Sequence, residues 1–376
     1  THLREHMMCK GSKNYGPGVF DTSIEKSGGS TNAYTTFDRT VYYESLPTDM
    51  LDRIVELEAD RMRGVRINDK SFESERQVIF NERKMRYENS PEGMRYLKMM
   101  QSFFQETPYG GSVIGSKEDL KNLDAKSLKE FFKNYYTPDN AIIVVAGDVQ
   151  PEEVFDEIED SYSDMQASSE KLQRYKKKKD RKELYELNPP YGKHIKLESN
   201  TKQPLFSLAF AGDPIGTKRG YALDFVSSIM GGGKSSFLHQ RYVKGRRQYL
   251  SSISSSNYQL QYNGIFYISG SLMKGTDLDW LKRDLLRKTR HACRKEVTER
   301  NVQKVKNQIL SSFYHQLTTN KGVAHFLGLR EHAYGDYKAY KKELKEYGTM
   351  TVKQVKEACQ TVFDPDKYVF ISVDKK

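Results

Sequence analysis

The sequence predicts an α+β protein of two homologous domains, each a mainly antiparallel sheet with helices packed on one face. Three observations carry this. Short runs rich in β-branched and aromatic residues alternate with stretches of helical period in both halves. A polar, basic, proline-broken stretch separates the halves, ending in Asn188-Pro189-Pro190-Tyr191-Gly192. Finally, Ala141-Ile-Ile-Val-Val-Ala-Gly-Asp148 closes the first half much as Tyr368-Val-Phe-Ile-Ser-Val-Asp374 closes the second. The reading is therefore a first domain over 1–170, a basic linker over 171–193 and a second domain over 194–376.

Along the first domain, His2–His6 is compatible with a helix. Thr40–Leu46 reads as a strand. Leu51, Ile54, Val55 and Met62 recur at helical spacing, as do Phe72, Val78 and Ile79, in a run that ends near Pro91. Ala141–Ala146 is apolar, β-branched and bounded by turn residues, hence a strand. The lysine block Lys176–Lys179 suits a solvated connector, since like charges repel and stay exposed. In the second domain, Leu205–Ala211, Gly264–Ser269 and Tyr368–Val373 read as strands, with helices around 218–230, 277–293, 297–317 and 351–362.

Composition removes several classes of function. With 37% hydrophobic and 30% charged residues, the 376-residue chain can build real cores. Its longest apolar run, Ala141–Ala146, is far below the ~18 residues of a membrane-spanning helix. Three scattered cysteines, Cys9, Cys293 and Cys359, suit no disulfide framework, so the fold is expected not to depend on oxidation, with Cys9 a buried apolar thiol. The net charge of +11 attracts acidic partners. A basic nucleic-acid binder is the reading this would support, but no recognition-module signature accompanies the 25 tyrosines and 61 Lys and Arg, and no nucleic acid is expected. The first residue is Thr1 and no targeting segment is visible, which leaves a cytoplasmic or periplasmic location open.

The sharpest chemical signal is His2-Leu3-Arg4-Glu5-His6. On a helix, positions i and i+4 share a face, so His2 and His6 can grip one ion while Glu5 sits beside them as a base. A zinc-bound water titrates near neutrality, and the carboxylate can take its proton and later deliver it to a leaving amine. A catalytic zinc wants a third protein ligand. Glu82 is the candidate, because Glu75 and Glu82 lie seven apart on one helical face; one could ligate while the other supports. The blander account makes both glutamates a charged surface paired with Arg76, Arg83 or Arg86.

His2-Leu-Arg-Glu-His6-Met-Met-Cys-Lys-Gly11-Ser resembles the inverted zinc motif of the pitrilysin/insulinase metallopeptidases. The shorter two-domain, processing-peptidase-like type is the better match in length, with the strands that precede the zinc helix missing. In that family the third ligand is a glutamate about 76 residues after the second histidine, where Glu82 stands, and Glu75 matches the supporting glutamate one heptad earlier. The resemblance implies metal ligands His2, His6 and Glu82, one zinc per chain, and Glu5 and Glu75 as the catalytic glutamates. It continues through Gly28-Gly29-Ser-Thr-Asn32-Ala33-Tyr-Thr35, which looks like the edge strand that extends substrate, and through Pro108-Tyr109, Ile114-Gly115, Tyr136–Asn140 and Val145–Asp148. In the second domain Gly231–Ser236 and Gln240–Tyr249 resemble the glycine-rich loop and the substrate-binding segment after it. Tyr249 fits the family's tyrosine; the arginine expected seven residues earlier is replaced by Tyr242, with Arg241 one step away.

The implied protein is a zinc endopeptidase that hydrolyses short or unfolded polypeptides inside a closed chamber, working as a homodimer or as a heterodimer with a related subunit. The alternative keeps the fold without the chemistry, as a structural or processing-partner subunit. Two echoes are set aside. Gly233-Lys234-Ser235 lacks the leading glycine of a phosphate loop, where Ser228 stands, and Leu329-Arg-Glu-His332 has Gly328 in place of the first histidine.

Overall fold

The computed structural model describes residues 2–105, 107–167 and 185–376. The lysine block of the linker lies outside the described residues. The chain is mixed helix and sheet, as its pattern predicts. By packing, its described residues form two compact units: one from 2–83, 112–167 and 316–332, the other from 84–105, 107–111, 185–315 and 333–376.

The first unit begins with α1 (His2–Met8) and α2 (Val19–Lys26), followed by the hairpin β1 (Ser30–Thr35) and β2 (Thr40–Ser45). Two long helices follow, α3 (Leu51–Arg63) and α4 (Asp69–Arg83). A short π-helical turn, Lys84–Glu88, then leads to α5 (Pro91–Phe104), which belongs to the second unit. Back in the first unit come α6 (Lys117–Asn122), α7 (Ala125–Tyr135) and α8 (Pro151–Tyr162). Their starts are written in the sequence: Ser116 and Asp119 form a capping box on α6, and Asp124 caps α7.

β1 and β2 pair antiparallel with Thr35 opposite Thr40 and Asn32 opposite Tyr43. Because side chains alternate along a strand, Ala33 and Thr35 share one face while Asn32 and Tyr34 share the other. The apolar run at 141–146 forms no ladder, contrary to its strand-like composition; Ile142, Ile143 and Val145 are exposed. β-propensity expresses fit to a half-buried pleated surface, and a run without a paired neighbour cannot realise it. Among the described residues of this unit, β1 and β2 pair only with each other.

The second unit holds a five-stranded sheet of β3 (His194–Ser199), β4 (Leu205–Ala211), β5 (Leu250–Gln259), β6 (Gly264–Leu272) and β7 (Tyr368–Lys375), in the order β3-β7-β4-β6-β5. Only the β3–β7 pair is parallel. Between β4 and β5 lie α9 (Lys218–Gly231) and α10 (Phe237–Tyr242). After β6 come α11 (Leu278–Lys295), α12 (Glu299–Gln316), α13 (Asn320–Tyr334), which through 332 belongs to the first unit, α14 (Tyr340–Thr349) and α15 (Val352–Val362). Phe206, Leu208, Phe210, Phe225, Phe266 and Phe370 anchor one continuous core, buried as the apolar reading of β4 and β7 requires. The serine-rich β5 carries little hydrophobic signal and is found only through its pairing with β6.

Oxidation enters after all: Cys293 on α11 is disulfide-bonded to Cys359 on α15 across 66 residues of sequence, and both are fully buried. Spacing could not show this, because the two thiols meet only when the helices pack. Cys9 is the free cysteine and is exposed rather than buried.

Candidate metal centre

α1 packs against α4 and β1, with Leu3, Met7 and Met8 buried beneath it. That sets His2 and His6 side by side, ring centroids 4.9 Å apart. α4 approaches with Glu75 and Glu82 two turns apart on one face, as a seven-residue spacing demands. His2 Nε2 lies 3.6 Å from Glu82 Oε1, and His6 Nε2 lies 3.5 Å from Glu82 Oε2. One ligand atom from each of His2, His6 and Glu82 falls within 4.8 Å of the others, the one such cluster of three or more among the described residues.

These separations are long for hydrogen bonds, whose N···O distance centres near 2.9–3.0 Å. They suit ligands of a common ion: bonds of about 2.0–2.1 Å place the vertices of a tetrahedron roughly 3.3 Å apart. Two imidazoles and a carboxylate are also the donor set that a catalytic zinc prefers, with a fourth position left for water. The residues present therefore fit the metal.

Glu75 does not join this triangle. Its Oε2 faces His6 Nδ1 at 3.4 Å and its Oε1 pairs with Lys10 Nζ at 2.7 Å. A carboxylate can only accept here, so the proton sits on Nδ1 and Nε2 stays free to ligate. Lys10 balances the buried charge of Glu75, which is only 6% exposed. Arg76, a partner in the blander account, instead pairs with Glu73 and donates to the carbonyls of Lys121 and Leu123. The turn that aims Lys10 depends on Gly11, whose φ of +93° favours glycine and where a Cβ would stand 2.8 Å from Pro17 N.

Glu5 lies beside the histidines on α1, with Thr35 Oγ1 of β1 donating to its Oε2. Its neighbour Arg4 is 1% exposed, lies 3.5 Å over the Phe131 ring and donates to the Leu128 carbonyl. Burial lowers the guanidinium to about 10, so it remains cationic at neutral pH. On the outer side of the hairpin, Asn32 Oδ1 accepts from Ala33 N at 2.8 Å. Tyr249 lies in the second unit, where its ring packs 4.4 Å from Trp280. Arg241, beside the position where the resemblance expects arginine, is held by Asp284 at 2.9 Å, and the hydroxyl of buried Tyr242 donates to the same oxygen.

Sequence reasoning missed Lys10, Arg4 and Thr35 as parts of this neighbourhood. Lys10 stands in the quoted motif, and Thr35 follows from alternation with Ala33, but only the packing of α1 on β1 and α4 reveals what each touches.

The family described as "Insulinase (Peptidase family M16)" matches residues 1–117, and the family described as "Peptidase M16 inactive domain" matches residues 122–309. A relative in Helicobacter pylori, named zinc protease PqqE, is 30% identical over 86% of this chain and 72% of its own length. The chain belongs to the M16 insulinase family. A Bacillus subtilis M16 relative named as the uncharacterized zinc protease YmxG is 23% identical over 97% of the chain and 86% of its own length. The crystal structure of a protease from Helicobacter pylori superposes with a TM-score of 0.86 at 26% identity, covering 99% of this chain and 89% of that one. In this M16 chain the cluster of His2, His6 and Glu82 falls inside the segment matched by the peptidase family, and the "inactive domain" match begins after it.

Proposed function

We propose that this M16 chain is a zinc-dependent endopeptidase acting on short or unfolded polypeptides. The observation that carries this reading is the convergence of His2, His6 and Glu82 with Glu5 on the same short helix. Bound zinc would supply Lewis acidity toward the scissile carbonyl and lower the pKa of the attacking water. Glu5 takes the proton from that water and returns it to the departing amine, a task for which a carboxylate within hydrogen-bond reach is sufficient. Glu75 keeps His6 in the tautomer that presents Nε2, and Lys10 pairs with Glu75 from the other side.

Substrate would enter as an added strand. β1 pairs with β2 on one side only, so its other edge can accept an extended peptide through main-chain hydrogen bonds. Asn32 and Ala33 sit on that strand, and the Asn32 side chain occupies the Ala33 N–H in the free chain. Recognition of this kind reads backbone more than side chain, which suits varied substrates. Tyr249 is the proposed contribution of the second unit, and a homodimer or a related partner subunit the proposed assembly; relatives named mitochondrial-processing peptidase subunit beta support the latter. The buried Cys293–Cys359 bond supports an oxidising compartment over the cytosol.

The test is Glu5→Gln, with metal content and cleavage of a quenched fluorescent peptide measured together. Zinc should remain at one per chain while turnover falls by ~10²–10⁴-fold, the usual worth of a general base. Chelation should abolish cleavage by the unmodified chain. Absence of zinc from the unmodified chain, or equal cleavage by the variant, would sink the reading.

A further inference from the structure

The carboxylate of Glu5 is held from behind by a chain of hydroxyls. Thr35 Oγ1 donates to Glu5 Oε2, and Thr40 Oγ1, directly across the hairpin, lies 3.2 Å from Thr35 Oγ1. A threonine hydroxyl has a single proton. Since that of Thr35 goes to the carboxylate, which can only accept, Thr40 must donate to Thr35. Farther along, the Tyr136 hydroxyl stands 2.8 Å from that of Tyr42. The Arg4 guanidinium carbon lies 5.0 Å from the Tyr136 ring centroid. The protons of Thr40 and Thr35 therefore both point toward Glu5. Such aligned chains polarise and strengthen one another in a site shielded from water.

The arrangement has a mechanical consequence. Glu5 sits at the end of three rotatable bonds on a seven-residue helix, and nothing in that helix fixes its carboxyl plane. A bond from the neighbouring strand engages Oε2 and leaves Oε1 for the attacking water. The alternation of β1 puts Thr35 on the same face as Ala33, so the strand proposed to receive substrate also steadies the base.

We infer that Thr35 is a positioning residue for the general base Glu5, its own hydroxyl oriented by Thr40 across the hairpin. The inference rests on the peptidase reading. It differs from a purely structural role for Thr35, which would affect folding, metal loading or substrate affinity but would not single out turnover.

The test compares Thr35→Val, which keeps shape and β-branching, with Thr35→Ser, which keeps the hydroxyl. Thr35→Val should lower kcat by ~10-fold or more, the scale of one hydrogen bond to a charged group. KM and zinc stoichiometry should stay as in the unmodified chain, as should the absorption spectrum of the cobalt-substituted protein. Thr35→Ser should recover most of the lost kcat. Thr40→Val should lower kcat more mildly, with no further loss when combined with Thr35→Val, since residues in one network are not additive. In the metal-free chain, the effects of Thr35→Val and Glu5→Ala on Tm should likewise be non-additive, a readout independent of cleavage. Unchanged kcat in Thr35→Val, a change confined to KM, loss of zinc from that variant, or failure of serine to rescue would each overturn the assignment. Zinc binding without cleavage by the unmodified chain is a different result: it removes the peptidase reading itself, and this inference with it.

Discussion

Breaking the Cys293–Cys359 bond should destabilise the second unit strongly. The bond joins α11 to α15 and closes a loop across 66 residues of sequence, inside the core built on β4, β6 and β7. In the chain-entropy treatment, closing a loop of that length removes roughly 4 kcal/mol of denatured-state freedom at 25 °C. For a unit of 150–250 residues each kcal/mol moves Tm by about 2–4 °C, so reduction should lower the melting transition by roughly 8–16 °C. The assay is thermal melting by circular dichroism of the oxidised chain, the same chain with a phosphine reductant, and a Cys293→Ala, Cys359→Ala double variant. The reduced chain and the double variant should melt at similar, lower temperatures. Alkylation in denaturant without reductant, read by mass spectrometry, should label Cys9 alone; with reductant it should label all three cysteines. Three labelled thiols before reduction, or oxidised and reduced chains that melt together, would refute both the bridge and the case for an oxidising compartment.

Other consequences are equally specific. Glu75→Gln should retain the fold but weaken zinc binding by about 10–100-fold in competition with a chelator, because His6 loses its orienting carboxylate. Gly11→Ala should cost on the order of 1–3 kcal/mol, since its φ of +93° disfavours a Cβ that would also meet Pro17 N. The same change should reduce zinc occupancy by moving Lys10, measured as metal retained after dialysis. Burial raises Asp224 to about 6, with hydrogen bonds from Asn257 and Tyr347 opposing the shift. A carboxyl with a raised folded-state pKa stabilises the native chain below its unfolded value near 4, and that contribution is lost as pH rises through about 6. Urea midpoints should therefore fall between pH 4 and pH 6 more steeply for the unmodified chain than for Asp224→Asn.

Much of the candidate site could be read before any fold was known. His2, Glu5 and His6 announce themselves because helical period makes i and i+4 neighbours, and Glu75 and Glu82 share a face because seven residues make two turns. Local chemistry of this kind needs only one element at a time. The core strands β4, β6 and β7 were legible for a similar reason: full burial on both faces selects continuous apolar runs.

What the tertiary structure decided were relations between elements far apart in sequence. The different surroundings of the two glutamates emerged only when α4 docked on α1, placing Glu82 between both histidines and Glu75 behind His6 with Lys10. The disulfide needed α11 and α15 to pack side by side, and Thr35 needed β1 to lie against α1. The same dependence explains the exception at 141–146, whose strand-like composition produced no strand because a ladder requires a partner. Sequence period sets which face an element presents; only long-range packing determines what that face meets.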